Sequence, residues 1–305
     1  MFVTRVTKTN TFGDLSLRKI RLKTPTEASL GMQVNYYSRL DTRRAILDFS
    51  RVGGPEAVRE GAFYNKRGET IQRHLDDGEI LVLDSNAAID RALRAEASAF
   101  YCSYWRYAQP RELRHPLGRD LIWMIRVKNG GLKFAKTATA AVIEVISDAG
   151  FYRPWVKYSG ELGFDLVVPL ESIPGDVWAG DFKALDEIQG EITSYIASTL
   201  VERPNFQVGL EGSRVTIREG LNTCLLSELR AGRGLFLVPM SLSPRSGLVS
   251  LPVAPDEVES FSVFDASPAD ASSYEWTPQY GAARKLICRA HSYAPDDRVE
   301  AALAL

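Results

Sequence analysis

The residues of this sequence that could act on a phosphate or a metal ion lie in short polar segments spread along the chain. The glycine-rich fragment AGRGL at residues 231–235 could bring backbone amides close to a phosphate, although two glycines are more typical of an ordinary turn. The signatures GxGxxG, GxSxG, HExxH and GxxxxGK with a following Ser or Thr do not occur. Their absence argues against dinucleotide-binding and P-loop enzymes, α/β-type serine hydrolases and zinc proteases.

The cysteines and histidines are too scattered for a structural zinc site. The cysteines are Cys102, Cys224 and Cys288, and the histidines are His74, His115 and His291. No CxxC pair occurs, and no histidine lies near a cysteine at the spacing of zinc ligands. We therefore expect no structural zinc and free thiols that are buried.

The composition is that of an ordinary globular chain. The 305 residues include 37 Lys and Arg against 38 Asp and Glu, which gives a net charge of -1, and 45% of them are hydrophobic. This balance argues against disorder and against a protein that coats nucleic acid over its whole surface, because such binding needs many cationic contacts to phosphates. A local basic groove is compatible with it. No apolar run approaches the ~20 residues of a membrane span, and no signal-peptide core is visible, so we expect a cytoplasmic protein, at the nucleoid if it binds DNA.

Apolar periodicity divides the chain into helices and strands without a regular βαβ rhythm. Helices are predicted within residues 36–49, 86–97 and 136–150, and over 182–200, where apolar residues recur at three- to four-residue steps. Strands are predicted in FYCSYWRY, in DLIWMIRV, in WVKYSGELGFDLVVPL as two pieces, and in RGLFLVPMSL. This mixture predicts an α+β or mixed α/β fold. We divide the chain into an N-terminal extension or peripheral strand at 1–30, a core at 31–268 and a C-terminal tail at 269–305.

Short motifs follow one another in order along the core. They are YYS at 36–38, RE at 59–60 with Phe63 and RH at 73–74, SYWRYAQP at 103–110, GRDL at 118–121, SGELGF at 159–164, and VT at 215–216 followed by ELRAGRGLFLVPM at 228–240. Together they resemble the small catalytic subunit of archaeal and eukaryotic DNA primases, a superfamily that includes the polymerase domain of bacterial end-joining ligases. GRDL is similar to the family's GADL, SGELGF to SGxxGxH, and the last segment to VT followed by SLHGGTGL. The resemblance implies a primase-like core with mixed or antiparallel sheets flanked by helices.

The resemblance also implies a two-metal site whose ligands this sequence does not carry. In the family, the strand after GADL holds two carboxylates two positions apart, and a third comes from the last motif. Their metal ions activate the 3′-hydroxyl and neutralise the triphosphate. In this chain the two strand positions are Met124 and Arg126. Because a thioether is a poor ligand for Mg²⁺ and a guanidinium repels a cation, we expect no catalytic metal site, no cofactor and no nucleotide incorporation.

The other motifs depart from the family as well. Asp165 stands where the family has a histidine that contacts phosphate, although Ser159 of the same motif is retained. When the chain is aligned on the VT pair, Gly212 takes the position of the third carboxylate, and Arg230 takes a position where the family has histidine. Losses at all three motifs indicate a pseudo-primase.

Basic and polar residues near these motifs could still contact the phosphates of a nucleic acid. Those selected are Arg59, Arg73, His74, Lys157, Ser159, Arg230 and Arg233. Each charged member could equally form a salt bridge within the protein. The aromatic run that contains Tyr101, Tyr104, Trp105 and Tyr107 could stack on bases, but packing is the more usual role of aromatic residues on a half-buried strand.

Three functions are open at this point. The first is a catalytically inactive relative of the primase small subunit that binds single-stranded or primer-template DNA, or is a structural or regulatory subunit in DNA replication or repair. The second is a divergent active primase or polymerase whose carboxylates have moved to Asp120, Glu161 and Asp165, with Mg²⁺ or Mn²⁺ as the metal. The third is a subunit that binds no nucleic acid and pairs with an active primase paralogue or a primase large subunit. None of the three involves a membrane.

Overall fold

The computed structural model describes residues 35–52, 54–230 and 232–294. The predicted N-terminal extension or strand at 1–30 lies outside these residues, as do Gly53 and Ala231. Helices and strands alternate along the described chain. No described helix is long and apolar enough to cross a membrane.

The described helices and strands have the following bounds. The helices are α1 Leu40–Ser50, α2 Asn86–Arg94, α3 Leu132–Asp148, α4 Gly175–Trp178, α5 Phe182–Val201 and α6 Arg284–Ser292. The strands are β1 Gly61–Asn65, β2 Thr70–Gln72, β3 Ala97–Ser103, β4 Trp105–Gln109, β5 Arg114–Arg119, β6 Leu121–Asn129, β7 Trp155–Tyr158, β8 Gly163–Val168, β9 Gln207–Glu211, β10 Arg214–Glu219, β11 Asn222–Leu229, β12 Leu235–Leu237 and β13 Pro252–Val253.

The strands form two main antiparallel sheets. The larger has seven strands in the order β13-β7-β8-β6-β11-β10-β9. The smaller has the order β12-β3-β1-β2, and β4 and β5 form a separate two-stranded ribbon. Antiparallel sheets flanked by helices confirm the predicted α+β class.

Helices α3 and α5 cover one face of the seven-stranded sheet, which we call the inner face. Trp123 of β6 points to this face, and its indole Nε1 donates to Thr193 Oγ1 of α5 at 2.8 Å. Side chains alternate along a strand, so Met124 and Arg126 point to the opposite side, which we call the outer face. These two residues, predicted to stand at the family's metal-ligand positions, therefore lie on the side of the sheet away from these two helices.

Helix α5 shows how the sequence pattern produces this packing. Its apolar stripe is buried at Leu185, Ile188, Ile192, Ile196 and Leu200. Burial of each such side chain contributes about 1.5–3 kcal/mol. The helix begins after Asp181, whose carboxylate accepts a hydrogen bond from the Lys183 amide at 2.9 Å. It ends at Val201, which confirms the predicted helix over 182–200.

Two predicted strands differ from the sequence pattern. The run FYCSYWRY divides at Tyr104, because the chain passes there from β3 of the four-stranded sheet to β4 of the ribbon. In RGLFLVPMSL only Leu235–Leu237 forms a strand, since Pro239 has no amide hydrogen for a sheet ladder. The other predicted helices and strands are confirmed within a few residues.

Aromatic contacts join the smaller sheet to the β7 side of the larger one. Trp155 of β7 stacks on Trp276 with ring centroids 5.0 Å apart. Trp276 and Phe236 of β12 both contact Phe49 of α1. Phe236 also lies against Lys157, whose Nζ is 4.3 Å from the ring centroid. The two sheets are therefore connected through a shared aromatic cluster.

Gly163, at the start of β8, has no room for a side chain. Its φ is +153°, and a Cβ there would lie 2.0 Å from the carbonyl oxygen of Ile125 on β6. We expect Gly163→Ala to lower the free energy of unfolding by about 2–4 kcal/mol, because backbone strain and steric overlap add. Urea denaturation measures the loss.

Gly212→Ala is the matched control for this prediction. Gly212 also has a positive φ, +64°, but nothing lies within 4 Å of the position of its Cβ. Its replacement should cost only the ~1–2 kcal/mol of a left-handed conformation. Equal losses in the two variants would contradict the idea that the approach to Ile125 requires glycine at position 163.

Candidate nucleic-acid interface

The sheet register brings three of the predicted positions into one row on the outer face. Met124 of β6 is opposite Asp165 of β8, and Asp165 is opposite Lys157 of β7. On its other side, Met124 is opposite Ser227 of β11. Directly opposed residues of antiparallel strands have Cβ atoms about 4.5–5.5 Å apart, so these four side chains are neighbours.

Asp165 is a buried carboxylate held between two cations. Lys157 Nζ lies 2.6 Å from Asp165 Oδ2, and Arg126 Nη2 contacts Oδ1. Lys157 also donates to Ser250 Oγ at 2.7 Å. Burial alone would raise the pKa of Asp165, but the charges and hydrogen bonds of Arg126 and Lys157 outweigh burial and hold this pKa below its ordinary value. The carboxylate is therefore ionised at neutral pH, with both oxygens occupied by protein cations.

Arg126, Asp165 and Lys157, which we call the outer-face triad, do not fit a divalent metal site. In the row beside Met124, Arg126 is opposite Gly163 and Leu225, neither of which is a carboxylate. A two-metal site needs several carboxylate oxygens that are free to bind the ions. Met124 and Arg126 supply no carboxylate, and the one carboxylate opposite Met124, Asp165, is occupied by salt bridges.

Gly212 does not share a site with Met124 and Arg126. It lies in the turn between β9 and β10, and β10 and β11 separate β9 from β6. The residues beside Met124 and Arg126 on the outer face are Gly163 and Asp165 of β8 and Leu225 and Ser227 of β11. The prediction that grouped Gly212 with Met124 and Arg126 in one site is therefore wrong.

The three carboxylates of the alternative metal site do not converge. Asp120 lies near the Val168 end of β8, because the next residue, Leu121, is opposite Val168. Glu161 lies in the turn before the other end of β8. The six residues of β8 extend about 20 Å. No group of three or more acidic, histidine or cysteine side chains among the described residues could hold a metal ion, so a site built from Asp120, Glu161 and Asp165 is excluded.

Asp120 instead belongs to a buried arginine network. Its carboxylate accepts hydrogen bonds from Arg59 Nη2 at 2.7 Å, from Arg106, and from the Leu170 amide at 3.0 Å. Arg106 also pairs with Glu171. Two guanidiniums and two carboxylates thus balance in charge, which a buried ionic cluster requires.

Arg59 and Lys157 are not placed to contact nucleic acid. Both side chains are fully buried. Arg59 completes its bonding with the carbonyl oxygens of Phe49 at 2.8 Å and Ser103 at 3.1 Å. A buried cation whose partners all lie within the protein has no free side for a phosphate, so of the two predicted alternatives the structure has the internal salt bridge for both residues.

Arg73 and Arg233 converge on one carboxylate near the surface. Arg73 Nη1 lies 2.9 Å from Glu60 Oε2, and Arg233 Nη2 contacts Oε1. Glu60 is fully buried, whereas the Arg233 side chain is 49% exposed. His74, the residue after Arg73, is exposed as well. The cluster has one excess positive charge, and Arg73, His74 and Arg233 stay candidates for phosphate contact.

Arg230 and Ser159 lie apart from these candidates. Arg230 pairs with Glu228, whose side chain faces α5, and Arg230 Nη2 packs close to Gly190 of that helix. Arg230 is therefore on the inner-face side of the sheet. Ser159 is buried, and its Oγ accepts a hydrogen bond from the Glu161 amide at 3.2 Å, so it supports the β7–β8 turn.

Burial also tests the aromatic and cysteine predictions. Tyr104 and Tyr107 are buried, which confirms packing rather than base stacking for these two. The three cysteines are free, with Cys102 and Cys224 buried and Cys288 exposed. The expected burial of thiols is confirmed for two of the three.

Three exposed cations on the outer face were missed by the motif comparison. Arg214 and Arg218 are exposed residues of β10, and Lys128 lies two positions after Arg126 on β6. Lys128 Nζ is 2.6 Å from Glu211 Oε2 of β9. The available signal was the alternation in RVTIRE, because the charged residues of a half-buried strand lie on its accessible face.

Comparison with solved structures finds similarity to the polymerase domain of ligase D from Mycobacterium tuberculosis, in complex with DNA. The two chains are 15% identical with a TM-score of 0.49, and the match covers 90% of this chain and 92% of that chain. No family model matches the sequence, and no curated protein does.

Proposed function

We propose that this protein is a catalytically inactive relative of the primase small subunit that binds nucleic acid. The observation that carries the proposal is the outer-face triad, in which Arg126 and Lys157 occupy both oxygens of Asp165. Two-metal phosphoryl transfer needs open carboxylates at this place in the sheet. The chain has salt bridges there instead.

The charge of the outer face supports binding to nucleic acid. Its strand residues include the cations Arg126, Lys128, Lys157, Arg214 and Arg218 and the carboxylates Asp165 and Glu211. Five cations and two carboxylates give this face a net charge of +3, in a chain whose net charge is -1. Local positive charge of this kind attracts a phosphate backbone.

The wider role that we propose is structural or regulatory, in DNA replication or repair. A protein that holds a primer-template or a single strand without extending it could present that strand to an active primase paralogue or to a primase large subunit. The fold would then serve to bind a strand, even though Met124 and Arg126 stand where the primase family has catalytic carboxylates.

We expect salt-sensitive binding of DNA without nucleotide incorporation. The full chain is titrated against fluorescent single-stranded and primer-template DNA across a salt series, with Mg²⁺ or Mn²⁺ and nucleotides in the same tubes. Binding should weaken as salt rises, because phosphate contacts release counterions. The primer should stay unextended with either metal.

Primer extension that co-elutes with the protein through a final sizing column would overturn the proposal. It would show that this chain assembles a metal site despite the residues at 124 and 126. Absence of binding at the lowest salt would contradict the nucleic-acid role, because phosphate contacts are strongest there. That result would support the alternative of a partner subunit that binds no nucleic acid.

A further inference from the structure

The positive charge of the outer face is accessible at one end of the sheet. Toward β7, Lys157 and Asp165 are buried, and Phe236 of β12 lies against Lys157. Toward β10, the cations Lys128, Arg214 and Arg218 are exposed. A ligand that approaches this face therefore meets these three side chains, which we call the basic strip.

The basic strip surrounds a single carboxylate, Glu211. Lys128 Nζ bonds to Glu211 at 2.6 Å, and Arg214 is directly opposite Glu211 in the β9–β10 register. The hydrogen bond and charge of Lys128, and more weakly the charges of Arg214 and Arg218, lower the pKa of Glu211. Three cations around one carboxylate leave a net charge of +2. Within the described part of the chain, neither Arg214 nor Arg218 forms a salt bridge, so both charges are available to a ligand.

The strip leads to the outer-face triad. Arg214 and Arg218 are four positions apart on β10, so they point to the same side about 13 Å from each other. Thr216, between them, is opposite Leu225 of β11, and Leu225 is opposite Arg126 of the triad. A chain of phosphates held by the two arginines would therefore run along β10, two strands away from β6, which carries Met124 and Arg126.

We propose that the basic strip binds the phosphodiester backbone of a nucleic-acid strand and guides this strand past the outer-face triad. The inference rests on the proposed function and names the residues that perform it. Guanidinium groups suit phosphate oxygens because they form paired, charge-assisted hydrogen bonds. Half-buried Leu225 lies between β10 and Arg126 of the triad, and half-buried Met124 lies opposite Asp165, where both can contact sugars and bases.

The test is the double variant Arg214→Gln/Arg218→Gln in the full chain. Its binding to single-stranded DNA is measured across the same salt series as wild type, with single-stranded RNA and duplex DNA as parallel arms. Removal of two phosphate contacts should flatten the slope of log affinity against log salt by about 1.4 for a single strand. When salt rises from 50 to 200 mM, the fold decrease in affinity should then be about seven times smaller for the variant than for wild type. Comparison of single-stranded DNA, single-stranded RNA and duplex DNA shows which of these nucleic acids the basic strip binds.

Arg44→Gln/Arg284→Gln is the matched control. It removes the same charge from two exposed arginines, on α1 and α6, which pair with Asp48 and Asp176. Its salt slope should equal that of wild type. If the salt slope were equally flatter in both double variants, the proposed role of the basic strip would be wrong, because the change in net charge alone would then explain the effect. A wild-type slope in the strip variant would overturn the inference and leave the proposed function intact, whereas no binding by wild type would overturn both.

Discussion

Replacement of Asp120 by asparagine should lower the free energy of unfolding by about 3–5 kcal/mol. The Asp120 carboxylate is fully buried and neutralises Arg59 and Arg106, which are buried as well. Asparagine is of the same size and keeps one acceptor oxygen, but it removes the negative charge. The two guanidiniums then have Glu171 as their remaining counter-charge. Urea denaturation at pH 7, followed by circular dichroism, measures the loss.

The same carboxylate makes stability depend on pH. Burial alone would raise the pKa of Asp120, but the charges of Arg106 and Arg59 and the hydrogen bonds from Leu170 and Arg59 hold it below the ordinary value. A carboxylate with a lower pKa in the folded state contributes its stability above the unfolded pKa of about 3.9, and loses it as pH falls through the folded pKa. Wild type should therefore lose stability below about pH 4 more steeply than Asp120→Asn.

Asp176→Asn is the control for both measurements. Asp176 also pairs with an arginine, Arg284, but both side chains are exposed. Exposed pairs contribute little because water and salt screen them, so this variant should denature close to wild type. If Asp120→Asn also denatured within about 1 kcal/mol of wild type, the arginine network would not need its central charge.

The sequence pattern predicts the fold best where the signal is local. The apolar stripe of α5 and the buried run of β6 depend on neighbours within a few residues, so their periodicity predicts them directly. The break at Tyr104 depends instead on which sheet each half of the run joins. That choice is made by residues far away in the sequence, and no local pattern contains it.

The residues of the candidate site could be predicted from the sequence only in part. The resemblance assigned Met124, Arg126 and Asp165 to motifs of one predicted site, and in the sheet register Met124 lies opposite Asp165. The sequence left salt bridges open for Arg59 and Lys157 but did not choose them over phosphate contacts, because cations are rarely buried unless a carboxylate pairs with them and the partner carboxylates lie in other segments of the chain. Lys157 meets Asp165 only when β7 and β8 pair, and Arg59 meets Asp120 only when the segment before β1 packs against the start of β6.

Asp165→Asn should also destabilise the protein, by about 3–5 kcal/mol at pH 7. Burial lowers the pKa of Lys157, and Asp165 opposes this effect. Without the carboxylate, the fully buried Lys157 ammonium has no counter-charge, whereas the 34% exposed Arg126 can turn toward water. Urea denaturation of the variant and wild type between pH 7 and 9 measures the difference.

The pH dependence of this variant should identify Lys157 as the cause. In Asp165→Asn, the pKa of Lys157 in the folded protein falls further below the unfolded value of about 10.4. Between these two pKa values the unfolded chain binds more protons than the folded one, so stability rises with pH. The deficit relative to wild type should therefore shrink from pH 7 to pH 9.

Lys157→Met/Asp165→Leu is the matched control, because it removes the buried charge together with its partner. Apolar replacements of a buried ion pair are often neutral or stabilising, so this variant should recover most of the stability that Asp165→Asn loses, at every pH. Its salt slope for single-stranded DNA should be no flatter than that of wild type, since neither buried side chain contacts a phosphate and Arg126 keeps its charge. A double variant as unstable as Asp165→Asn would show that hydrogen bonds to Ser250 and Arg126, rather than compensated charge, hold this part of the sheet. A flatter salt slope for this double variant would instead indicate that Lys157 contacts the nucleic acid.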